Sequence, residues 1–149
     1  MKKNLAFTLV ELAIVIVIAG LLAAVAIPIY NGVVDDAKWS EAKQGASAIK
    51  NALVVYGRYK NGFSTISSAS WTAVKPVAET IGIQPTSLEK LQYFSDNCFQ
   101  YQTLNSDQDF EVRCASDYDG VTNTSPKKPS PGYGAFSSAT NLWTGNFAP

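Results

Sequence analysis

From Phe7 to Ile29 the chain is almost continuously apolar, and Leu12 to Ile29 contains no charged residue. Eighteen helical residues at 1.5 Å each reach about 27 Å, close to the hydrocarbon thickness of a bilayer. Val15, Ile16, Val17 and Ile18 are β-branched and would favour a strand in water. In lipid a single span satisfies its backbone only as a helix, so the run predicts a transmembrane helix. After it the pattern becomes amphipathic. Ala42, Ala46, Ile49, Leu53 and Tyr56 recur at spacings of four and three, with Gly45, Ala48 and Ala52 beside them. Asp36, Lys43, Ser47, Lys50 and Asn51 supply a polar face. This spacing predicts a helix with a thin, small-residue apolar side, suited to close packing on a sheet. Pro28 lacks an N–H and should kink the helix rather than end it. Gly57 and Gly62 are the expected stop, and Lys38 and Glu41 an expected surface ion pair of little worth.

Beyond Gly62 the pattern shortens. Residues 63 to 75 are a serine-rich connection containing Trp71. Pro76 should open a short helix through Ile81, stopped by Gly82, and Pro85 to Glu89 a second short helical segment or a strand start. The best strand signal runs from Tyr93 to Ala115. Phe99, Tyr101 and Thr103 alternate with glutamines, and Phe110, Val112 and Cys114 alternate with Glu111 and Arg113. Asn105 to Asp109 is the turn between them. Pairing Tyr101 with Phe110 joins the apolar faces but does not set Cys98 opposite Cys114. A bulge, or Cys98 lying before the ladder, resolves the conflict. Residues 116 to 149 carry Pro126, Pro129, Pro131 and Pro149 and predict sparse regular structure. Tyr118, Tyr133, Phe136, Trp143 and Phe147 should dock this segment on the rest.

Charge sets the topology. Lys2 and Lys3 flank the apolar run and hold its N-terminal end in the cytoplasm by the positive-inside rule, so the chain beyond the run is exported. The chain has 149 residues, 12 basic and 12 acidic side chains and no histidine. No polybasic block points to nucleic acid or anionic lipid as the main partner. The two cysteines, Cys98 and Cys114, fall in the exported part, where an even count reads as one disulfide. A metal pair lacks the supporting histidines and the closer cysteine spacing.

Glu11 is the anomaly in the apolar run. An ionised group inside a bilayer costs a few kcal/mol and usually has a partner, unless it lies shallow enough to snorkel. A cut before Phe7 would place a new α-amine four residues from Glu11 on one helix face. A carboxylate in the first turn also complements the helix dipole.

Leu5-Ala6-Phe7-Thr8-Leu9-Val10-Glu11 followed by an apolar helix resembles the processing site of type IV pilins and pseudopilins. The resemblance implies removal of the leader, residues 1 to 6, by a prepilin peptidase that cuts between Ala6 and Phe7 and methylates Phe7. Ala6 stands where that family usually has glycine. The resemblance makes Glu11 the assembly residue, Pro28 the kink and Gly20 a point where the helix loosens in the filament. It implies an α+β fold, in which a long N-terminal helix packs on a small antiparallel sheet. The division is then leader (1–6), apolar polymerisation helix (7–29), amphipathic continuation (30–56) and globular head (57–149). It further implies storage in the inner membrane, an assembly platform there, and a helical homopolymer of identical subunits outside the cell, with roles in adhesion and motility. The alternatives are a type II secretion pseudopilin, a minor or DNA-uptake pilin, and a signal-anchored binding protein that never polymerises.

No catalytic constellation or phosphate loop stands out, so the chain reads as a structural protein without a cofactor. Asp117-Tyr118-Asp119-Gly120 resembles a fragment of a calcium loop, with Asp107 and Asp109 able to lie nearby, but lacks the later glutamate. Asp117 and Asp119 are thus weak metal candidates, and a solvated acidic turn is the plainer reading. Asn123-Thr124-Ser125 matches a glycosylation sequon. Lys127 and Lys128 are too few charges for strong binding to DNA.

Overall fold

The computed structural model describes residues 7–147. The expected leader, including Ala6 and the expected cut before Phe7, lies outside the described residues, as does Pro149. The chain divides by packing into two units, up to Val34 and from Asp35 onward.

One helix, α1 (Leu9–Lys60), runs through both patterns without a break at Pro28. In the first unit no described side chain is buried. This stretch is long and apolar enough to cross a bilayer. In the second unit the stripe predicted from spacing is the buried one: Ala42, Ala46, Ile49 and Leu53 are fully enclosed, joined by Tyr56 and by Trp39 one turn earlier. Gly57 does not end the helix. It lies inside α1, where an added Cβ would sit 2.5 Å from Phe63 Cζ. The stop is a Schellman turn three residues on. Asn61 has a positive φ of 56°, and Gly62 N–H donates to the Gly57 carbonyl at 2.9 Å.

The sheet is a five-stranded antiparallel meander in the order β1 (Thr72–Ala73), β2 (Phe99–Leu104), β3 (Asp109–Ser116), β4 (Gly132–Ser137) and β5 (Leu142–Gly145). The fold is α+β, with the second-unit part of α1 and the inner face of the sheet sharing one core. Gly45 lets the two approach: a Cβ there would meet the Phe99 ring at 2.8 Å. The other expected helices are slight. Lys75–Val77 forms one 3-10 turn, where Pro76 removes a donor, and Pro85–Glu89 forms a short α2.

Two expectations are corrected. The hairpin pairs Phe99 with Cys114, Tyr101 with Val112 and Thr103 with Phe110, not Tyr101 with Phe110. All six still face the core, because a two-residue shift preserves the side on which each residue lies. Cys98 precedes the ladder in a 3-10 turn, which is one of the two resolutions of the register conflict. Residues 116 to 147 are also more regular than their prolines and glycines suggest, since they supply β4 and β5. Gly134 holds a core position on β4 because the Phe147 ring occupies the space its side chain would fill, with a Cβ meeting that ring at 2.3 Å.

Candidate functional site

The start of α1 is a reciprocal cap. Thr8 N–H donates to Glu11 Oε2 at 2.9 Å, and Glu11 N–H donates to Thr8 Oγ1 at 3.2 Å. The Thr8 hydroxyl adds a bond to the same carboxylate oxygen at 2.8 Å. Two helix-end donors that nothing else in the helix could satisfy are met, which is the capping-box arrangement. The Thr8-x-x-Glu11 spacing carries this signal in the sequence, and a reading by charge alone misses it. Glu11 therefore has local work before any second chain is present. Both bonds fall on Oε2, which leaves Oε1 without a partner among the described residues. Phe7, 85% exposed, stands just ahead of the cap.

Downstream, nothing lies within 4 Å of a Cβ built at Gly20 or at Gly32. Glycine inside a helix costs about 1 kcal/mol relative to alanine. Packing within this chain gives neither glycine a reason. Pro28 likewise removes a helix hydrogen bond from a segment whose apolar side chains are exposed.

The second unit holds the remaining candidates. Cys98 and Cys114 are both fully buried free thiols, brought near each other where β2 enters the ladder. Burial pushes both pKa values up, that of Cys114 well above the ordinary thiol range, with the neighbouring Cys98 adding to the effect. Both are therefore protonated and weakly nucleophilic at neutral pH.

Asp117 and Asp119 each meet a cationic side chain. Asp117 pairs with Lys128 at 2.6 Å and accepts the Asn123 N–H, and Lys128 chiefly holds its pKa below the ordinary value. Asp119 pairs with Arg113 at 2.7 Å. Asp107 and Asp109 do not join them. They lie at the other end of β3, roughly 25 Å along the strand. There Asp107 accepts from Ser67 and Thr103, and Asp109 from Asn105 and Ser138. Among the described residues no group of three or more acidic, cysteine or histidine side chains is placed to hold a metal.

The sequon asparagine is a buried knot. Asn123 is 1% exposed. Its Nδ2 donates to the Tyr93 carbonyl at 2.9 Å and to Ser116 Oγ at 3.0 Å, while its Oδ1 accepts from the N–H groups of Ser95 and Ser125. The nitrogen that a glycan would need is already used twice. The expected Lys38–Glu41 pair is also absent: Lys38 bonds Asp35 at 2.9 Å. Glu41 instead accepts the backbone N–H groups of Gln92 and Tyr93 at 2.6 and 3.0 Å, tying the 85–93 segment to α1. Spacing along one helix could not reveal partners fifty residues away.

Residues 1–27 match the family model for the prokaryotic N-terminal methylation motif. The chain is 39% identical over 59 residues to a type IV narrow pilus major component, PilA5, of Thermus thermophilus, covering 40% of this chain and 51% of that protein. It is 41% identical over 73 residues to a fimbrial protein of Neisseria meningitidis, covering 46% of this chain and 43% of that protein. The chain thus spans about half the length of the curated relatives it matches. No solved structure matches it.

Proposed function

We propose that this chain, which carries the methylation motif and resembles type IV pilins, is a structural subunit of a type IV pilus-like filament that assembles through its N-terminal helix. One observation carries the reading: a methylation motif opens an apolar helix with no buried side chain up to Val34, while residues from Asp35 onward enclose a core of their own. A head with its own core leaves the first unit's apolar surface free to pass from lipid to a bundle of like helices. Both environments are apolar, so the hydrophobic term nearly cancels in that exchange.

Cleavage after Ala6 exposes the Phe7 amine, which the same peptidase methylates. The free Oε1 of Glu11 then accepts the Phe7 ammonium of a neighbouring subunit, which rewards correct registry where dielectric is low. Gly20 and Pro28 are the points at which the helix loosens or bends in the filament, consistent with the open space at Gly20 and the exposure of Pro28 among the described residues. The two cysteines, thiols in the reduced form described above, are joined as a Cys98–Cys114 disulfide in an oxidising compartment, a reading supported by their closeness where β2 meets β3. The precursor resides in the inner membrane with its leader in the cytoplasm, is handed to an assembly platform, and functions outside the cell in adhesion or motility.

The test is the mass of material sheared from the cell surface. A chain beginning at methylated Phe7, two protons light and abundant in that fraction, is the expected result. A chain that retains residues 1 to 6 and stays in the membrane would overturn the reading.

A further inference from the structure

The outer face of the sheet, turned away from α1, carries a groove with built-in ring walls. A cross-strand row runs from Gln100 through Arg113 and Ala135 to Thr144. Ala135 is the small residue in that row, and the half-buried rings of Trp71 and Tyr133 line the space around it, together with Glu111, Phe136, Ser137, Thr140 and Thr144. The cavity measures about 350 Å³, at the lower end of small-ligand sites, roughly 300–1,000 Å³.

Both rings are fixed before any ligand arrives. Trp71 is held by the Arg113 guanidinium, whose Cζ lies 4.3 Å from the ring centroid. Tyr133 is stacked on Tyr118 with centroids 4.8 Å apart and planes at 25°. Fixed rings spare a ligand the cost of ordering them.

Charge narrows the ligand class. Arg113 is already engaged, with Nε donating to Gln100 Oε1 and Nη1 to Asp119, both at 2.7 Å. Among the described residues, the one charged side chain lining the groove is therefore the Glu111 carboxylate, which accepts from Gln102 at 2.7 Å. Such a site repels phosphate, sulfate and carboxylate. It offers flat aromatic surface for C–H faces, and hydroxyls and a carboxylate for a rim of O–H groups. The geometry points to a neutral saccharide, a short run of hexose or N-acetylhexosamine units, as the ligand of this groove. The site lies wholly within residues 71–144 and rests on no part of the filament reading, whose own test is the N-terminal mass.

The test uses the full chain in micelles of a detergent with no sugar headgroup. Saturation-transfer NMR is run against neutral hexoses, N-acetylhexosamines and their disaccharides, with sulfated disaccharides and oligothymidylate as competing probes. Saturable binding of a neutral saccharide is expected, with a dissociation constant near the millimolar range. Trp71→Ala should weaken it by about tenfold, equivalent to ~1.4 kcal/mol. Thr140→Ala, at an exposed position that carries no fold, should weaken it several-fold, and Tyr59→Ala, outside the groove, should leave it unchanged. No saturable binding across the neutral panel would overturn the proposal. So would binding that Trp71→Ala and Thr140→Ala both leave intact, or a preference for the sulfated or nucleic-acid probe.

Discussion

Replacing Asn123 by alanine tests whether a short motif or a buried network governs that position. The substitution removes a side chain that bonds Tyr93, Ser95, Ser116 and Ser125. Ser116 Oγ is fully buried and would lose its donor from Nδ2. Leaving one such group unpaired costs about 1–3 kcal/mol, and each partly accessible bond about 1 kcal/mol. With one buried and three partly accessible bonds lost, the sum is about 4–6 kcal/mol. For a head of this size that corresponds to a Tm lower by roughly 16–24 °C. The assay is near-UV circular dichroism of the full chain during heating, with Thr122→Ala as an exposed neighbour expected within about 0.5 kcal/mol of the parent. Asn123→Asp keeps the shape but turns an acceptor toward the Tyr93 carbonyl and Ser116, so it should destabilise by a similar amount. A Tm within about 4 °C of the parent for Asn123→Ala, close to 1 kcal/mol, would refute the reasoning. So would a mass showing a glycan on Asn123 of the folded chain.

Glu11 serves as cap and, on the proposal, as registry charge, and two variants separate these. Glu11→Gln keeps a side-chain acceptor at the capping-box position, so filaments lost in both Glu11→Gln and Glu11→Ala implicate the charge, while normal assembly by Glu11→Ala sinks the registry idea. Gly134→Ala places a Cβ 2.3 Å from the Phe147 ring. That overpacking should cost about 1–3 kcal/mol, read as an earlier urea midpoint with unchanged slope, and an unshifted midpoint would contradict it. On the proposal that Cys98 and Cys114 are bonded, reduction should cost about 3 kcal/mol for a loop of about 15 residues, and a reductant without effect on unfolding would count against the bond. Asp35, Asp96 and Asp117 are each held below 3.8 in the folded head, chiefly by Ser130, Lys75 and Lys128 respectively. Lowered folded-state pKa values give stability that is present above 3.8 and lost as pH falls through the folded values. Thermal unfolding should therefore be nearly flat from neutral pH to about 5 and decline below 3.8, modestly because these carboxylates are solvent-screened, and a flat profile through that range would disprove these pairings.

The parts legible in the sequence are those in which one element faces one environment. The stripe from Ala42 to Tyr56 repeats with the helical period because one side of α1 meets the core. Phe99 to Cys114 alternates because one side of the sheet does. The β4 strand is hidden because its alternation is carried by Gly134, where the space for a side chain is filled by Phe147 from farther along the chain. Register depends on Cys98 leaving the ladder, which no local pattern encodes. Glu41 and Asn123 mislead for a shared reason: their partners are distant in sequence, so the nearest motif or charge offers a false one. At the N-terminus the methylation motif is legible around Phe7 and Glu11, whereas the cap that holds Glu11 in place needs Thr8 to be read as a helix start.

The seating of Phe147 also bears on the order in which the head can be completed. Each strand pairs with the strand next in sequence, so β1 to β4 can form as the chain emerges. The ring that covers Gly134 and meets Trp39 and Trp143 belongs to a residue beyond the last strand. Until Phe147 is seated, the core stays open on one side, and Trp39 and Trp143 lack the ring that covers them. Closure by a single late side chain thus makes arrival of the chain's last residues a condition for a sealed core.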